Sequence, residues 1–552
     1  MIIIASILIA LVVTQSARPT IIVVEAGESI QIALASSITG DTVLVQPGDY
    51  HESLRLPNHS VTLAGSYLFS SDTMDIRETT LFPDSVSLDT NSCIVVTSGN
   101  QICHRVVGLT LKGGKGTQTN IFNNQKSGGG VYARNSCVTI EFCRILDCKT
   151  TFGGGIAAIG PSFEVRSGFV EVNNCFIRGC TAQENGGGFF ALSCSLAFDH
   201  CELVKDSCLN FCGGIEASQS YIHGTNTTVD SAYGSSSSLD ISTSEVYLNQ
   251  CSFLHGTCIP HPLSNSFFHI GSSSGRVAAC TFSENLTEYP GGSIIGDPAP
   301  EVVGCVFERI TATIYTATVL IGYDDNTQFA YNIIRDNVNI AGGAIQPFQR
   351  TTARIHHNLI TGNRSLQENR PSAILCVSNC NPTIDSNRIE GNHGSSVGFI
   401  IELGEHHWDL SRNWWGHESG PYDAVRNAGG QGDTIQTDSV VFEPWLLTPP
   451  ETSVGIGPIH PKQPLASTWE ILAVYPNPFN NSFTVSIAGF ARSDFEVKLV
   501  DLLGRQVASI HSGSLTGTSL RYDAATQLAT GLYFLVAQDS RSVSVKKVVF
   551  LK

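Results

Sequence analysis

The stretch Cys143-Arg144-Ile145-Leu146-Asp147-Cys148-Lys149-Thr150-Thr151-Phe152-Gly153-Gly154-Gly155 contains the unit whose repetition decides the fold. Its first position, a Cys followed two residues later by an apolar residue, recurs at Cys175, Cys201, Cys251, Cys280 and Cys305, and then as Asn332, Asn358, Asn387 and Asn413. Most steps are 25 to 32 residues, and the gap from Cys201 to Cys251 is close to two periods. This spacing predicts a repeat protein that grows along one axis.

A second slot and a glycine cluster recur in the same phase as the first slot. The second slot, five residues after the first, holds Cys148, Cys180, Asn337, Asn363 and Asn392, and the glycines lie at 153–155, 186–188, 213–214, 291–292 and 342–343. Between them lie short alternating stretches rich in β-branched residues, such as 137–140 and 169–172. One repeat therefore fits one turn of a right-handed parallel β-helix, in which stacked turns share a core. Leucine-rich repeats have a similar period, but their recurring Leu positions and helical returns are missing.

The repeated slots predict ladders of side chains at the bends. An Asn there can bond the backbone of its bend and the next Asn, a Cys acts as a small buried hydrophobe, and Gly permits positive φ at the opposite bend. All seventeen Cys lie between Cys93 and Cys380, and their odd number leaves at least one thiol unpaired. No CxxC pairs with His at zinc-like spacing, so structural cysteines are favoured over a metal site. Cys376 and Cys380 are spaced for a loop disulfide.

Composition limits the classes of protein to consider. The chain has 552 residues, of which 42% are hydrophobic and 14% charged, with a formal net charge of −16. It is longer than one hydrophobic core usually organises and too poorly charged to be disordered. The acidic balance and the lack of clustered Lys and Arg argue against nucleic acid or anionic lipid as a partner. A merely solvated acidic surface explains the charge.

The N-terminus predicts export. An apolar run from Ile2 to Val13 is followed by small polar residues, which is typical of a signal peptide spanning 1–17 with cleavage at Ser16 or Ala17. The run is short for a membrane span, and no later segment reaches that length.

The solenoid is predicted to span 18–447 and to open with a capping helix. Ser29 precedes Ile30, Ala33, Leu34 and Ile38 at helical spacing, and 40–52 then continues as a strand and a turn. This opening resembles that of pectin-lyase-like β-helix proteins, a fold shared by enzymes and non-enzymes. At the other end, Asn413-Trp414-Trp415-Gly416 and 442–446 resemble the last coil of bacterial surface β-helix proteins, where large aromatics close the core. Stacking of the adjacent Trp residues on a sugar ring is the alternative.

The C-terminal region predicts a linker and a second domain. Residues 448–469 are rich in Pro, Gly and Ser, and 470–552 contain alternating strand-like runs, which favours a small immunoglobulin-like β-sandwich. The motifs 475–479, 501–505, 531–534 and 546–552 together resemble the sorting domain of type IX (Por) secretion cargo. The resemblance implies the type IX machinery as a partner and a secreted or outer-membrane-attached location. A flagellar-hook-type immunoglobulin-like module shares much of this pattern.

No catalytic, cofactor-binding or metal-binding residue is predicted. The pair Asp324 and Asp325 lacks the elements that accompany a polygalacturonase site, so we interpret it as a turn. His356-His357 and His406-His407 are adjacent, and adjacent residues on a strand point to opposite faces, which would prevent shared chelation.

Two classes of function remain open from the sequence. The favoured one is a non-catalytic, adhesin-like scaffold that binds polysaccharide or a cell-surface glycan. The alternative is a polysaccharide lyase or glycoside hydrolase. Acidic and basic side chains that converge on one exposed sheet face would favour the enzyme, and scattered Ser, Thr and Asn would favour binding.

Overall fold

The protein is described by a computed structural model. The described residues are 19–550 except 85–89, 163–166, 237, 259–267, 288–292, 297–299, 313–316, 323–325, 341, 349, 368–369, 378–379, 401–407, 454–469, 476–478, 481, 489–494, 502–504, 513–518, 524–527 and 539–542. The predicted signal peptide, 1–17, lies outside this set. The chain divides into two compact units, Met1–Pro458 and Ile459–Lys552.

The first unit is a parallel β-helix, as the repeat predicted. In each coil the chain passes through four sheets in turn, which we number from 1 to 4, and each strand pairs in register with its equivalent in the next coil. One strand of sheet 3, Gly116–Gln118, instead runs antiparallel to both of its neighbours. The coils therefore stack along one axis. One bend joins sheet 4 to sheet 1, and the next bend joins sheet 1 to sheet 2.

The strand bounds of the four sheets are as follows. Sheet 1 contains Ile21–Val24, Thr42–Val45, Thr62–Gly65, Cys103–Val107, Cys137–Glu141, Phe169–Asn173, Ser195–Asp199, Tyr221–Thr225, Glu245–Asn249, Ser274–Ala278, Glu301–Val303, Gln328–Ala330, Arg354–His356 and Thr383–Asp385. Sheet 2 contains Gly48–His51, Thr79–Phe82, Thr110–Lys112, Arg144–Leu146, Phe176–Arg178, Glu202–Val204, Thr228–Asp230, Ser252–Leu254, Thr281–Ser283, Val306–Glu308, Ile333–Arg335, Leu359–Thr361 and Arg388–Glu390. Sheet 3 contains Thr90–Asn91, Gly116–Gln118, Lys126–Ser127, Lys149–Phe152, Thr181–Asn185, Ser207–Cys208, Tyr233–Gly234, Thr257–Cys258, Leu286–Thr287, Thr311–Ala312, Val338–Asn339 and Arg364–Ser365. Sheet 4 contains Leu54–Arg55, Ile94–Val96, Val131–Arg134, Ile156–Ile159, Phe189–Leu192, Ile215–Ser218, Leu239–Ser242, Phe268–Gly271, Ser293–Ile295, Val319–Gly322, Ile345–Phe348, Ile374–Val377, Ser395–Ile400, Pro421–Tyr422 and Gly432–Ile435.

The core of the solenoid consists of columns of inward side chains. On sheet 1, Val138, Val170 and Leu196 are register partners and are buried. In-register stacking also brings phenylalanines over one another, and the ring centroids of Phe282 lie 5.2 Å from Phe253 and 4.7 Å from Phe307. Each such side chain contributes about 2 kcal/mol on burial. One coil cannot form this core alone, so its stability depends on its neighbours.

Bends between sheets 1 and 2 carry the first predicted ladder. In the last coils the Asn358 side-chain oxygen accepts from the backbone N–H of Asn332 at 2.9 Å, and its amide donates to the carbonyl of Phe329 at 3.0 Å and to Oδ1 of Asn387 at 2.9 Å. The bonds join successive coils, so each buried Asn satisfies the backbone of the coil before it. The ladder is confirmed, since each Asn bonds the next one as predicted, and the backbone groups that Asn358 bonds belong to the preceding coil.

Cysteines occupy the same slot in earlier coils. The thiol of Cys201 lies 3.2 Å from the carbonyl of Val172, the acceptor equivalent to the one that an Asn amide reaches. Thr227 fills the double gap in the repeat, since its hydroxyl accepts from the N–H of Cys201 at 3.2 Å. Fourteen described cysteines are free and buried. Cys380 is among them, so the predicted bridge to Cys376 is wrong, and the disulfide instead joins Cys103 and Cys137 on adjacent strands of sheet 1.

Two aspartates interrupt the second ladder, between sheets 2 and 3. Asp433 ends it, accepting from the N–H of Gly391 at 2.7 Å and from the amide of Asn392 at 2.8 Å. Asp206 lies inside it, and one of its oxygens accepts from the N–H of Cys180 at 2.7 Å. The other oxygen is buried without a hydrogen-bond partner, where an Asn would present a donor. Burial holds the pKa of Asp206 well above its usual range.

Glycines between sheets 3 and 4 serve two purposes. Gly153 has a φ of +66°, as predicted for a bend. Gly154 does not, but a Cβ there would lie 2.4 Å from the carbonyl oxygen of Gly187 in the next coil. Close approach of successive coils therefore excludes other residues at the second position.

Both ends of the core are covered. The helix Ile30–Ser36 follows its N-cap Ser29 and buries Ile30 and Leu34, as predicted, but it ends before Ile38, which is exposed. The carboxylate of Glu52 accepts from the N–H groups of Ile30 at 2.9 Å and Gln31 at 3.1 Å. Three further short helices are Tyr67–Ser70, Asp75–Glu78 and the 3-10 turn Asn120–Phe122. At the other end, Trp415 is fully buried in the core, beyond which Trp408–Asp409 pairs with Val440–Val441.

The second unit contains two antiparallel sheets around one core. One sheet contains Glu470–Tyr475, Ser482–Ala488 and Ser519–Asp523, and the other Glu496–Val500, Gln506–Ser512, Gly531–Gln538 and Val543–Phe550. Phe479, from the predicted entry motif, is buried with its ring 4.7 Å from Phe483 and 5.0 Å from Phe550. The immunoglobulin-like topology stays a prediction.

Candidate functional site

The outer face of sheet 4 brings ionisable side chains from three successive coils together. Glu216, Asp240 and His269 are register partners on neighbouring strands, and we call them the acid row. Because parallel strands lie about 4.8 Å apart, in-register pairing converts residues 24 and 29 positions apart into neighbours.

Glu216 is held by hydrogen bonds from its own bend and from the preceding coil. Its carboxylate accepts from the backbone N–H of Gly186 at 3.2 Å and of Cys212 at 3.3 Å, and also from the side-chain amide of Asn185. Burial raises the pKa of Glu216 to about 8, and the charge of Asp240 adds to the rise. Burial and a neighbouring negative charge both favour the neutral form of this carboxyl.

Asp240 and His269 form an ion pair beside Glu216. Nδ1 of His269 lies 2.9 Å from Oδ1 of Asp240, and 28% of the imidazole side chain is exposed. Burial opposes protonation of His269, but the charge and hydrogen bond of Asp240 outweigh it, so the pKa of His269 is raised. The imidazole is the part of the acid row most open to a ligand.

An apolar patch precedes the acid row on the same face. Tyr132 and Phe190 belong to a buried cluster on the outside of sheet 4, against which Ile121 and Phe122 pack. Phe122, in the 3-10 turn Asn120–Phe122, has its ring 4.2 Å from Phe152. This turn therefore covers the sheet before the acid row begins.

The outer face of sheet 2 shows the opposite arrangement, because its charges neutralise one another. His255 bridges Asp230 at 2.8 Å and Glu284 at 3.4 Å. Further along, Glu308 receives Arg309 and Arg335, each at 2.5 Å. These contacts form a structural ion-pair network along this part of the face.

Sheet 1 carries an aromatic pair on its outer face. The rings of Tyr221 and Tyr247 lie 5.9 Å apart, and the Tyr247 hydroxyl donates to Glu245 at 2.9 Å. Both tyrosines are half-buried. Aromatic faces of this kind are suited to sugar rings, but here the two tyrosines pack against each other and Tyr247 is bonded to Glu245.

The sequence-predicted candidates do not assemble into this site. Asp324, Asp325, His406 and His407 lie outside the described residues. Trp415 closes the core, and Trp414 donates to Glu390 at 2.9 Å, so the adjacent Trp pair does not present two faces to a sugar.

The prediction for His356 and His357 is wrong. His356 is the last strand residue and His357 has a φ of +55°, which turns both rings to one side and leaves their Nδ1 atoms 2.8 Å apart. The alternation of side chains applies only within a strand, and the strand ends between them. Among the described residues, no group of three or more His, Cys, Asp or Glu side chains is arranged to hold a metal ion.

Sequence reasoning missed the acid row entirely. Its members carry no local motif, and each becomes a neighbour of the others only through coil-to-coil register. The first-slot residues that follow these strands are Thr227, Cys251 and Cys280. Glu216, Asp240 and His269 each lie eleven residues before one of them, so alignment on this slot would have placed them in one column.

Comparison with known proteins supports one part of the chain directly. Residues 473–551 match the family described as "Secretion system C-terminal sorting domain". No curated protein matches the chain. Among solved structures, the crystal structure of alginate lyase from Paenibacillus sp. str. FPU-7 is similar over 60% of this chain and 99% of that chain, with 10% identity and a TM-score of 0.21. A likeness at this level carries no argument about activity.

The described helices are all too short to cross a membrane. The sorting domain matched at 473–551 is that of type IX secretion, as the C-terminal motifs predicted. The chain is therefore a parallel β-helix protein with a type IX sorting domain, and it is secreted or displayed at the cell surface.

Proposed function

We propose that this exported protein is a scaffold that binds polysaccharide on the outer face of sheet 4, at the acid row, without cleaving it. The observation that carries the proposal is the partly exposed ion pair of His269 and Asp240, held at 2.9 Å beside Glu216. Carboxylates and an imidazole at fixed spacing can accept and donate hydrogen bonds to sugar hydroxyls. The predicted signal peptide at 1–17 is part of this proposal, since type IX cargo must first be exported.

The contacts of Glu216 favour binding over catalysis. Two backbone N–H groups and one amide already occupy its oxygens, so it braces the bends at Gly186 and Cys212. Asp240 is paired with His269. A general base needs an oxygen or nitrogen that is free to take the substrate proton. Here both oxygens of Glu216, one oxygen of Asp240 and one nitrogen of His269 already have partners.

A second candidate, a polysaccharide lyase or glycoside hydrolase, is favoured by one specific observation. Burial raises the pKa of Glu216 to about 8, so a large fraction of this carboxyl is protonated at neutral pH, as a general acid requires. Asp240 on the adjacent strand would supply the second carboxylate of a hydrolase.

Binding and turnover should be measured together on the full-length protein. Neutral and acidic polysaccharides are screened by calorimetry, by absorbance of unsaturated products and by new reducing ends. His269→Gln and Glu216→Gln test the acid row, and Glu202→Gln, an exposed glutamate on sheet 2, is the matched control. Thermal melting confirms that each variant is folded.

We expect binding without turnover, weakened at least fivefold by His269→Gln and unchanged by Glu202→Gln. Turnover that disappears in Glu216→Gln would replace the scaffold with the enzyme. A protein that neither binds nor cleaves any polysaccharide would contradict both candidates.

A further inference from the structure

A shallow depression lies near the N-terminal end of sheet 4, three strand steps before the acid row. It has a volume of about 330 Å³ and is lined by Thr97, Gly99, Arg134, Asn135 and Pro161. We call it the arginine depression. Arg55 lies at its rim, since its guanidinium donates to the hydroxyl of Thr97 at 3.1 Å.

The two guanidinium groups have neutral partners. Arg134 donates to the side-chain oxygen of Asn120 at 2.9 Å, and Arg55 donates to Thr97. Seven other arginines lie within salt-bridge distance of a carboxylate, but among the described residues neither Arg55 nor Arg134 does. Both guanidinium groups therefore lie at the depression without a described carboxylate to neutralise them, in a chain with a formal net charge of −16.

The walls of the depression are fixed. The disulfide between Cys103 and Cys137 joins the segment that follows Gly99 to the segment that follows Asn135. Asn135 is held further, because its side-chain oxygen accepts from Ser167 at 2.8 Å and Ser167 accepts from Asn100 at 2.7 Å. A preformed site loses less entropy on binding a ligand than a mobile one.

We propose that the arginine depression binds an acidic substituent, a carboxylate or a sulfate ester, of the polysaccharide that the scaffold recognises. A guanidinium presents paired N–H donors that match either group. Gly99 and Pro161 provide a small apolar wall against which the rest of a sugar ring can lie. This inference rests on the proposed function and names the class of its ligand.

The arginine depression and the acid row can be tested separately. The strand that carries Arg134 is three strand steps from the strand that carries Glu216, which is about 14 Å, and Arg55 is five steps away, about 24 Å. Substitution at one therefore leaves the other in place.

The test compares three sets of oligosaccharides of equal length: galacturonic acid oligomers, carrageenan oligomers and neutral galactose oligomers. Affinities for the full-length protein, Arg134→Gln, Arg55→Gln and the double variant are measured by calorimetry at low and high salt. Arg178→Gln, which changes an exposed arginine on sheet 2 that has no carboxylate partner among the described residues, is the control.

We expect one acidic set to bind at least tenfold more tightly than the neutral set, and Arg134→Gln to remove most of that preference. The better acidic set distinguishes a carboxylate from a sulfate ester. Acidic oligomers that bind equally well to wild type and the double variant, or no preference over neutral oligomers, would overturn this inference while leaving the proposed function intact. If no oligosaccharide of any set binds, both are overturned.

Discussion

The bends of the last coils and those of the earlier coils place different side chains in the same slot. Asn332, Asn358 and Asn387 bond the backbone of the preceding coil and one another at 2.9 to 3.1 Å. Cys175 and Cys201 reach equivalent carbonyls with a thiol, at 3.5 and 3.2 Å. A thiol is a weak donor, so the cysteine bends depend on packing and the asparagine bends on hydrogen bonds. The fold is the same in both, so one bend accommodates two different chemistries.

The largest expected effect is the loss of an asparagine from the ladder. Asn358→Ala removes the partners of the Asn332 N–H and the Phe329 carbonyl inside a buried bend. We expect the free energy of unfolding of the solenoid to fall by about 4 kcal/mol, because each unsatisfied buried group costs about 1–3 kcal/mol. Urea denaturation measures it, with exposed Asn326→Ala as control. A loss under about 1 kcal/mol would show that the two kinds of bend are equivalent.

Asp206→Asn should stabilise the solenoid, in contrast to Asn358→Ala. An Asn side chain would place an N–H donor where the unpartnered carboxyl oxygen of Asp206 lies. We expect the free energy of unfolding to rise by about 2 kcal/mol at neutral pH. Because the folded-state pKa of Asp206 is raised, its carboxyl contributes fully below the unfolded value, about 4, and that contribution is lost as the pH rises. The advantage of the variant should therefore grow from pH 4 to neutral pH. Denaturation at a series of pH values tests this, and a constant difference would contradict it.

A cysteine bend should respond less than an asparagine bend. Cys201→Ala removes one buried sulfur atom, and we expect a loss of roughly 1 kcal/mol in the free energy of unfolding. The same denaturation assay applies. A loss as large as that of Asn358→Ala would mean that the thiols carry hydrogen-bond energy after all.

The smallest effect is expected from thiol reagents. Burial raises the pKa of Cys194, Cys201 and Cys208 to about 12, and all three are inaccessible in the fold. Iodoacetamide at pH 8 should leave them unmodified in the native protein and alkylate them in guanidinium chloride. Mass spectrometry of peptides reports both states, and rapid native labelling would show that the cysteine bends open.

Much of the fold could be predicted from the sequence because the ladder slots are chemically restricted. Cys143 and Asn332 mark the same bend in distant coils, and Ile30 and Leu34 mark the cap. Thr227 was not recognised, since a small hydroxyl also satisfies the slot. The predicted bounds 18–447, 448–469 and 470–552 stay predictions.

The candidate site could not be predicted for a related reason. The bends restrict which residues fit, but the outer faces of the strands do not, so Glu216 and Asp240 carry no recognisable pattern. His356 and His357 show the same limit. The strand ends between them, and this changes the direction of the His357 side chain. Local periodicity predicts the inside of a solenoid better than its outside.

Asp433 closes the second ladder with a carboxylate that accepts from the backbone N–H and from the side-chain amide of Asn392. A coil inserted or deleted before it would meet the same backbone groups as its neighbours, so the length of the solenoid can change by duplication without a new core. The ends cannot be exchanged in this way, since the helix at Ile30–Ser36 and the carboxylate of Asp433 each fit one terminus. In evolutionary terms, the middle of the molecule is free to lengthen while its two ends are retained.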